Sequence, residues 1–237
     1  MKTIGIVSAL NSEINSLTGT RLTPMHVYPL TKDIDTILCG MGEDNVRHAC
    51  ELLLNKNVKG LICFGTCAAL TENINSGDLI LAERILTTNN DRFLSAESWR
   101  DSIQKYLNEN DIPIHEGDIY SSSSVITSPA DKLTLAQQTD AIAVDMESAI
   151  VFQFAQKNNI PALSLRVVVD EAHVSIPQPV LDNTDEYGQV NIASLLLTVI
   201  RQPRLVMDLV TLGRAFSRAK TSMLWVGKHA EQMFLRL

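Results

Sequence analysis

Several features that mark whole classes of protein are scarce or missing from this chain. Aromatic residues make up only 5% of its 237 residues, so aliphatic side chains must build the core. No apolar run approaches the roughly 20 residues of a membrane span. The N-terminus passes straight into an apolar strand pattern, without the cleavage pattern of a signal peptide. With 45% hydrophobic and 20% charged residues, we expect a globular cytoplasmic protein.

Motifs for phosphate-containing cofactors and for metals are missing too. The chain has no G-x-G-x-x-G and no P-loop, which counts against a dinucleotide or nucleoside-triphosphate site. Its cysteines form no C-x-x-C and share no metal-ligand spacing with the five histidines; they are Cys39, Cys50, Cys63 and Cys67. We predict four buried free thiols, no metal and no cofactor. The alternative for the cysteines is a redox role.

The formal net charge of −7 is unevenly spread. The segment 190–237 carries +5, from Arg201, Arg204, Arg214, Arg218, Lys220, Lys228 and Arg236 against Asp208 and Glu231. The acidic remainder argues against binding to nucleic acid. A basic segment that also contains 195–197, Leu205, Leu209, Leu212 and Trp225 predicts peripheral contact with an anionic membrane. The alternative is a solvated basic face on helices that cover the sheet or form a dimer contact.

Apolar β-branched runs alternate with helical patterns along the chain. The predicted strands are 3–9, 35–39, 60–65, 78–86, 114–126, 141–144 and 162–169, and several are apolar on successive residues. Such runs are typical of strands that are covered on both faces. The sequence therefore predicts an α/β protein with helices on both faces of one sheet. We expect one domain, 1–237, with a core at 1–180 and a helical extension at 190–237.

Cap and breaker residues delimit the predicted helices. They span 45–55, 95–108, 147–157, 191–201, 203–218 and 222–235, and a further helix starts at 128. Ser95 is the expected N-cap of the second, and Ser128 precedes Pro129 in the pattern of a capped helix start. Pro203 and Gly213 are expected to interrupt the C-terminal helices.

Acidic residues follow several of the predicted strands. Glu13 follows the first predicted strand, Glu147 follows the strand 141–144 in the triplet Asp145-Met146-Glu147, and Asp170 follows the run 165–169. In open α/β sheets, ligands bind outside the carboxyl ends of the strands, so these carboxylates could converge on one cleft. These acids also have ordinary structural explanations. Glu13 could be a solvated acid in the first turn of a helix, Asp145 beside Glu147 could cap the next helix, and Asp170 could be a turn residue.

Together these segments resemble the nucleoside phosphorylase/nucleosidase superfamily, and within it the methylthioadenosine/adenosylhomocysteine nucleosidases. The matching motifs are Ile4-Gly5-Ile6-Val7-Ser8-Ala9-Leu10-Asn11-Ser12-Glu13, Gly40-Met41-Gly42, Gly65-Thr66-Cys67-Ala68-Ala69-Leu70, Ser76-Gly77-Asp78, Ala143-Val144-Asp145-Met146-Glu147-Ser148-Ala149 and Arg166-Val167-Val168-Val169-Asp170. The resemblance covers about residues 3–173. It implies a three-layer α/β/α fold with a central mixed sheet, and a homo-oligomer.

The resemblance also implies roles for individual residues. Glu13 would activate water, Asp170 would protonate the purine, and Glu147 would bind the ribose hydroxyls. The other candidate substrate-binding residues are Met146, Thr66, Met41, Ser8, Cys67 and Val125. The chain departs from the family pattern in three places: Asp145 replaces a Glu, Val169 replaces a Ser, and Ala68-Ala69 replaces Gly-Gly. These departures affect the surroundings of the base and the width of the pocket.

The predicted reaction is hydrolysis of a purine nucleoside. Related phosphorylases carry an arginine where this chain has Cys63, and Glu13 stands where they have a basic glycine-rich turn. A carboxylate there would repel phosphate. A second resemblance is carried by Val168-Val169-Asp170-Glu171-Ala172-His173, the segment with Pro177 and Pro179, Asp185-Glu186-Tyr187-Gly188 and the helices around Arg201-Gln202-Pro203. These residues resemble the hopanoid-associated branch, which implies removal of adenine from adenosylhopane. The alternatives are a phosphorylase and a nucleoside-binding module without turnover.

Overall fold

The structure, a computed structural model, describes residues 3–203 and 205–236. Arg204 of the basic segment lies outside the described residues, as do the side chains of Leu196 and Leu197. The strands are β1 (Ile4–Ser8), β2 (Val27–Pro29), β3 (Ile34–Leu38), β4 (Gly60–Ala69), β5 (Leu79–Thr87), β6 (Arg92–Leu94), β7 (Ile114–Ser121), β8 (Ala143–Asp145) and β9 (Ala162–Asp170). The helices are α1 (Asn11–Thr18), α2 (Glu43–Leu54), α3 (Glu97–Glu109), α4 (Pro129–Thr139), α5 (Ser148–Lys157), α6 (Gln178–Asp182), α7 (Ile192–Arg201) and α8 (Leu205–Phe234).

The strands form one mixed sheet in the order β2-β3-β1-β4-β8-β7-β5-β6, with β9 paired to both β4 and β5. The strand β1 runs parallel to β3 and β4, and β4 runs parallel to β9. Antiparallel pairs join β4 to β8 and β5 to β9. The carboxyl ends of β1, β4 and β9 therefore meet at one edge of the sheet, which is where Glu13, Thr66 and Asp170 are found.

Helices cover both faces of this sheet. On one face, α2 and α5 pack through buried residues such as Leu53 and Phe152. On the other face lie α1, α3 and the C-terminal half of α8, which buries Met223 and Phe234. The indole N–H of Trp99 on α3 donates to the carbonyl oxygen of Phe234 at 2.9 Å. The predicted three-layer α/β/α fold with a mixed sheet is confirmed.

Some predicted boundaries were wrong. Helix α8 runs without a break through Gly213, because a single glycine costs a helix only about 1 kcal/mol and packing of the C-terminal half compensates for it. The strand predicted for 60–65 continues to Ala69, since residues 65–69 pair with β9 and β8. The strand predicted for 114–126 ends at Ser121.

The two predicted N-caps had different outcomes. Ser128 caps α4, since its Oγ accepts from the backbone N–H of Asp131 at 3.1 Å. Ser95 does not cap α3, which begins at Glu97; its Oγ donates to the carbonyl oxygen of Ala82 at 2.6 Å instead. Helix α1 and the short strands β2 and β6 were not predicted.

The four cysteines are buried and free, as predicted. In the described part of the chain, no helix combines the length and apolarity needed to cross a membrane. Within residues 3–203 and 205–236, no three His, Cys, Asp or Glu side chains are grouped so that they could hold a metal ion.

Candidate active site

An open cavity of about 230 Å³ lies at the carboxyl ends of β1, β4 and β9. Its lining includes eight of the nine predicted site residues, namely Glu13, Met41, Thr66, Cys67, Val125, Met146, Glu147 and Asp170. The ninth, Ser8, does not line it; Ser8 is buried in β1 beside the site, and its hydroxyl has no hydrogen-bond partner among the described residues. The roles assigned to these residues stay predictions.

Glu13 lies in the first turn of α1 and is buried. Its Oε2 accepts from the backbone N–H groups of Ala9 and Leu10 at 3.1 and 3.0 Å. Its Oε1 accepts from the backbone N–H of Thr66 at 2.7 Å and from the Thr66 hydroxyl at 2.9 Å. Burial raises the pKa of Glu13, against the lowering effects of Arg166 and of these hydrogen bonds. The carboxyl group is thus fixed in place and made more basic than in water.

Gly65 on β4 leaves the space that Glu13 occupies. A Cβ atom at this position would lie 2.7 Å from Oε1 of Glu13 and 2.6 Å from Nη1 of Arg166. These distances are too short for any side chain, so glycine is required by the close approach of an acid and a base across the strand.

Arg166 on β9 is the buried cation of the site, with a side chain only 1% exposed. Its Nη2 lies 2.7 Å from Oδ2 of Asp145 and 3.5 Å from Oε2 of Glu147. The same nitrogen contacts the Cys63 Sγ at 2.9 Å and the Ser148 Oγ at 3.2 Å. The hydroxyl of Ser148 also donates to Asp145. Arg166 therefore offsets the charge of two neighbouring carboxylates in a region with little water.

Glu147 stands at the N-terminal boundary of α5 and reaches the cavity. Burial raises the pKa of Glu147, Arg166 opposes the shift, and the charges of Asp145 and Glu13 add to it, so that the pKa is raised to about 7. An acid of this kind changes its charge near neutral pH, which is unusual for a carboxyl group.

Asp170 ends β9 and is buried at the cavity wall. Its Oδ2 lies 2.7 Å from Nζ of Lys132 on α4. Among the described residues, no donor makes a well-aligned hydrogen bond to either carboxyl oxygen. Burial raises the pKa of Asp170, although the Lys132 cation opposes the shift. The structure thus keeps this acid free to meet a ligand and easier to protonate than an aspartate in water.

The segment after β9 closes one side of the cavity. Ile176 lines it, and the carbonyl of Glu186 accepts from the backbone N–H of Met41 at 2.8 Å. The ring of Tyr187 packs on Gly40, where a Cβ would lie only 2.8 Å from the Tyr187 Cε1. Gly40 also has a φ of +80°, a conformation that favours glycine.

A family model described as the phosphorylase superfamily matches residues 7–201. The chain belongs to the phosphorylase superfamily. This confirms the family predicted from the motifs. The chain was predicted to be an enzyme that cleaves N-glycosidic bonds. The family and the nucleosidases among the relatives agree with this prediction.

Curated proteins of two kinds are similar in sequence to this chain. A 5′-methylthioadenosine/S-adenosylhomocysteine nucleosidase of Maridesulfovibrio salexigens is 24% identical over 189 residues, which are 72% of this chain and 82% of that protein. A DeoD-type purine nucleoside phosphorylase of Buchnera aphidicola is 28% identical over 157 residues, which are 60% of this chain and 65% of that protein.

Solved structures of the superfamily have the same fold. The 5′-methylthioadenosine/S-adenosylhomocysteine nucleosidase of Helicobacter pylori, with butyl-thio-DADMe-Immucillin-A, has a TM-score of 0.71 and 20% identity over 100% of this chain and 99% of that chain. Futalosine hydrolase of the same organism has a TM-score of 0.70 and 20% identity over 100% and 98%. At these identities the similarity shows the fold alone.

Sequence reasoning missed the two cations of the site. Arg166 could have been found, because a charged residue inside the buried run 162–169 needs an acidic partner in the interior. Lys132 carries no such signal: it follows Asp131 in the first turns of a helix whose pattern reads as solvent-facing.

Proposed function

We propose that the chain is a purine nucleosidase that hydrolyses the N-glycosidic bond of a 5′-substituted adenosine and releases adenine. The proposal rests on one observation: three carboxyl groups from distant segments, those of Glu13, Glu147 and Asp170, line a single cavity. The nucleosidases among the relatives support the same reaction. Bond cleavage of this type passes through a cation on the sugar, so it needs an acid for the leaving base and negative charge near the sugar.

Each carboxyl group fits one part of this reaction. The proton of Asp170 would pass to a ring nitrogen of the purine as the glycosidic bond breaks, and burial favours its protonated form. Glu13 would take a proton from water attacking the sugar. Glu147 would accept hydrogen bonds from ribose hydroxyls and stabilise the developing cation. The Thr66 hydroxyl donates to Glu13, so towards a ligand it offers only its acceptor capacity.

The charges around the cavity favour water over phosphate as the attacking group. Arg166 is paired with Asp145 and Glu147, whose negative charges offset its positive charge, so it offers little attraction to an anion. Glu13 lines the cavity, and its carboxylate would repel phosphate. Phosphorolysis, the activity named in the DeoD-type relatives, is the second candidate.

The test is release of adenine from 5′-methylthioadenosine, S-adenosylhomocysteine and adenosine, followed by absorbance with and without phosphate. We expect turnover at the same rate in both buffers and a free sugar as the second product. Turnover that needs phosphate and forms a sugar 1-phosphate would identify a phosphorylase. Binding of these nucleosides without turnover would identify a binding module.

We further propose that the 5′ substituent is a lipid, as in adenosylhopane, and that the chain works at the cytoplasmic face of a membrane. Support comes from the segment 190–224, where apolar side chains are exposed beside basic ones. The exposed apolar residues are Val190, Ile192, Val206, Met207, Val210, Phe216 and Leu224. Arg201, Arg214, Arg218 and Lys220 are exposed in the same segment. Basic charge with exposed apolar area is typical of a surface that binds anionic lipid.

Flotation with anionic liposomes tests this surface. Deleting 190–237 would remove core residues of α8, so the variant is Ile192→Asp/Met207→Asp, at two side chains that are 69% and 77% exposed. We expect the wild type to float and this variant to stay at the bottom of the gradient. The control is Leu94→Asp, at a side chain 76% exposed on β6. Equal recovery of all three proteins would contradict membrane contact.

The homo-oligomer implied by the resemblance is retained as a proposal. Light scattering of the purified protein measures the mass directly.

A further inference from the structure

Lys132 is a charged residue with no contact to water: its side chain is 0% exposed. Its Nζ lies 2.7 Å from Oδ2 of Asp170 and donates to the carbonyl oxygens of Glu171 and Val174 at 2.8 and 2.9 Å. The ammonium group thus has three partners: two carbonyl oxygens that accept its protons, and one carboxylate with which it forms an ion pair without a well-aligned hydrogen bond. All three belong to the end of β9 or to the segment that follows it directly.

A buried ion pair of this kind does little for stability, because the cost of removing both ions from water offsets their attraction. A well-packed apolar side chain would fill the same space at a lower cost. The arrangement of Lys132 is therefore better explained by what it does to Asp170 than by a gain in folding free energy.

We propose that Lys132 is a positioning residue for Asp170: it holds the carboxyl group at the cavity wall and balances the negative charge that Asp170 acquires in the reaction. This inference rests on the proposed function. In that reaction the O–H bond of Asp170 breaks, an N–H bond forms on the purine, and the electron pair of the glycosidic bond goes to the base. Lys132 keeps its own protons throughout.

The other charged or titratable groups near Asp170 are less well placed for this role. The carboxylate of Glu171 accepts from Ser76 and lies 3.4 Å from Arg218 on α8, so it is already paired. The imidazole of His173 is 71% exposed. On β4, the Cys67 thiol is buried, and burial raises its pKa well above the ordinary value. In the described part of the chain, Lys132 forms the only ion pair of Asp170.

The test is the pH dependence of kcat in Lys132→Met, a variant of similar length without charge. Loss of the cation should lower the plateau of kcat at least tenfold and move its alkaline limb upwards by about 1 to 3 pH units, the usual effect of one nearby opposite charge on a carboxyl group. A purely structural role would lower kcat at all pH values without moving the limb, and that result would overturn the proposal.

Three control variants accompany this test. Leu133→Met changes an exposed neighbour on α4, Lys105→Met removes an exposed charge on α3, and His173→Gln removes the exposed imidazole. We expect none of them to move the alkaline limb. A shift of the same size in His173→Gln would assign the limb to that imidazole and count against Lys132.

A second measurement needs no turnover and so separates this inference from the proposed function. In a double-mutant cycle of urea unfolding, Asp170→Asn should remove most of the damage done by Lys132→Met, since no buried charge is then left unpaired. If Lys132→Met alone does not fold, recovery of folding in the double variant carries the same meaning. Additive effects, or no recovery, would overturn the proposal even if the wild type releases adenine.

Discussion

Asn in place of Asp170 is expected to lower kcat for adenine release by about 10²–10⁴-fold, the usual contribution of a general acid. The amide keeps the shape of the side chain and cannot supply the proton. The exchange leaves the buried Lys132 ammonium without its anionic partner and so lowers stability, but Nζ keeps its two carbonyl acceptors and the amide oxygen of Asn can take the place of Oδ2. We therefore expect the fold to survive, as measured by circular dichroism and thermal unfolding beside the kinetic assay.

The pH profile gives this prediction a second readout. Burial raises the pKa of Asp170 above 3.8, so its acid form persists to a higher pH than an ordinary aspartic acid. In the wild type, kcat should fall on the alkaline side as this proton is lost, and the variant should lack that limb. Asp140→Asn, at an exposed residue in a left-handed conformation that Asn tolerates, is the matched control. An unchanged kcat in Asp170→Asn would remove this residue from the mechanism.

The gathering of Glu13, Glu147 and Asp170 at one cavity could be predicted from the sequence, because each follows an apolar strand and the carboxyl ends of parallel strands share an edge. The mixed sheet, with β8 antiparallel to β4, was reached through the resemblance alone. Runs that are apolar on both faces do not reveal the direction of a strand.

The partners of these acids could not be predicted, since they depend on which side chains meet across the sheet. Arg166 on β9 reaches Asp145 and Glu147, although β9 pairs with β4 and β5 and not with β8. Lys132 reaches Asp170 from a helix 38 residues earlier in the chain. Gly65 is the clearest case. The predicted strand 60–65 ends at this residue, yet the structure continues the strand to Ala69 and uses the glycine to admit the Glu13 carboxylate.

Arg166→Met should produce the largest loss of stability of any single substitution discussed for this chain. Breaking a buried ion pair by removing one partner typically costs about 3–5 kcal/mol, because a charge is left unpaired in the interior. Here two carboxylates, Asp145 and Glu147, lose their shared cation. We expect the free energy of unfolding, measured in urea at pH 8, to fall by this amount.

The loss should shrink at pH 5.5. Without Arg166, the pKa of Glu147 rises above the wild-type value of about 7, so the folded variant binds a proton that the unfolded chain, with an ordinary value of 4.5, does not. A folded state that binds more protons loses stability as pH rises through this window and regains it as pH falls. Arg47→Met, which breaks an exposed pair with Glu43 on α2, is the matched control and should cost under about 0.5 kcal/mol at both pH values. A loss in Arg166→Met that is the same at pH 5.5 and pH 8 would show that packing, and not the charge of the buried acids, makes this arginine necessary.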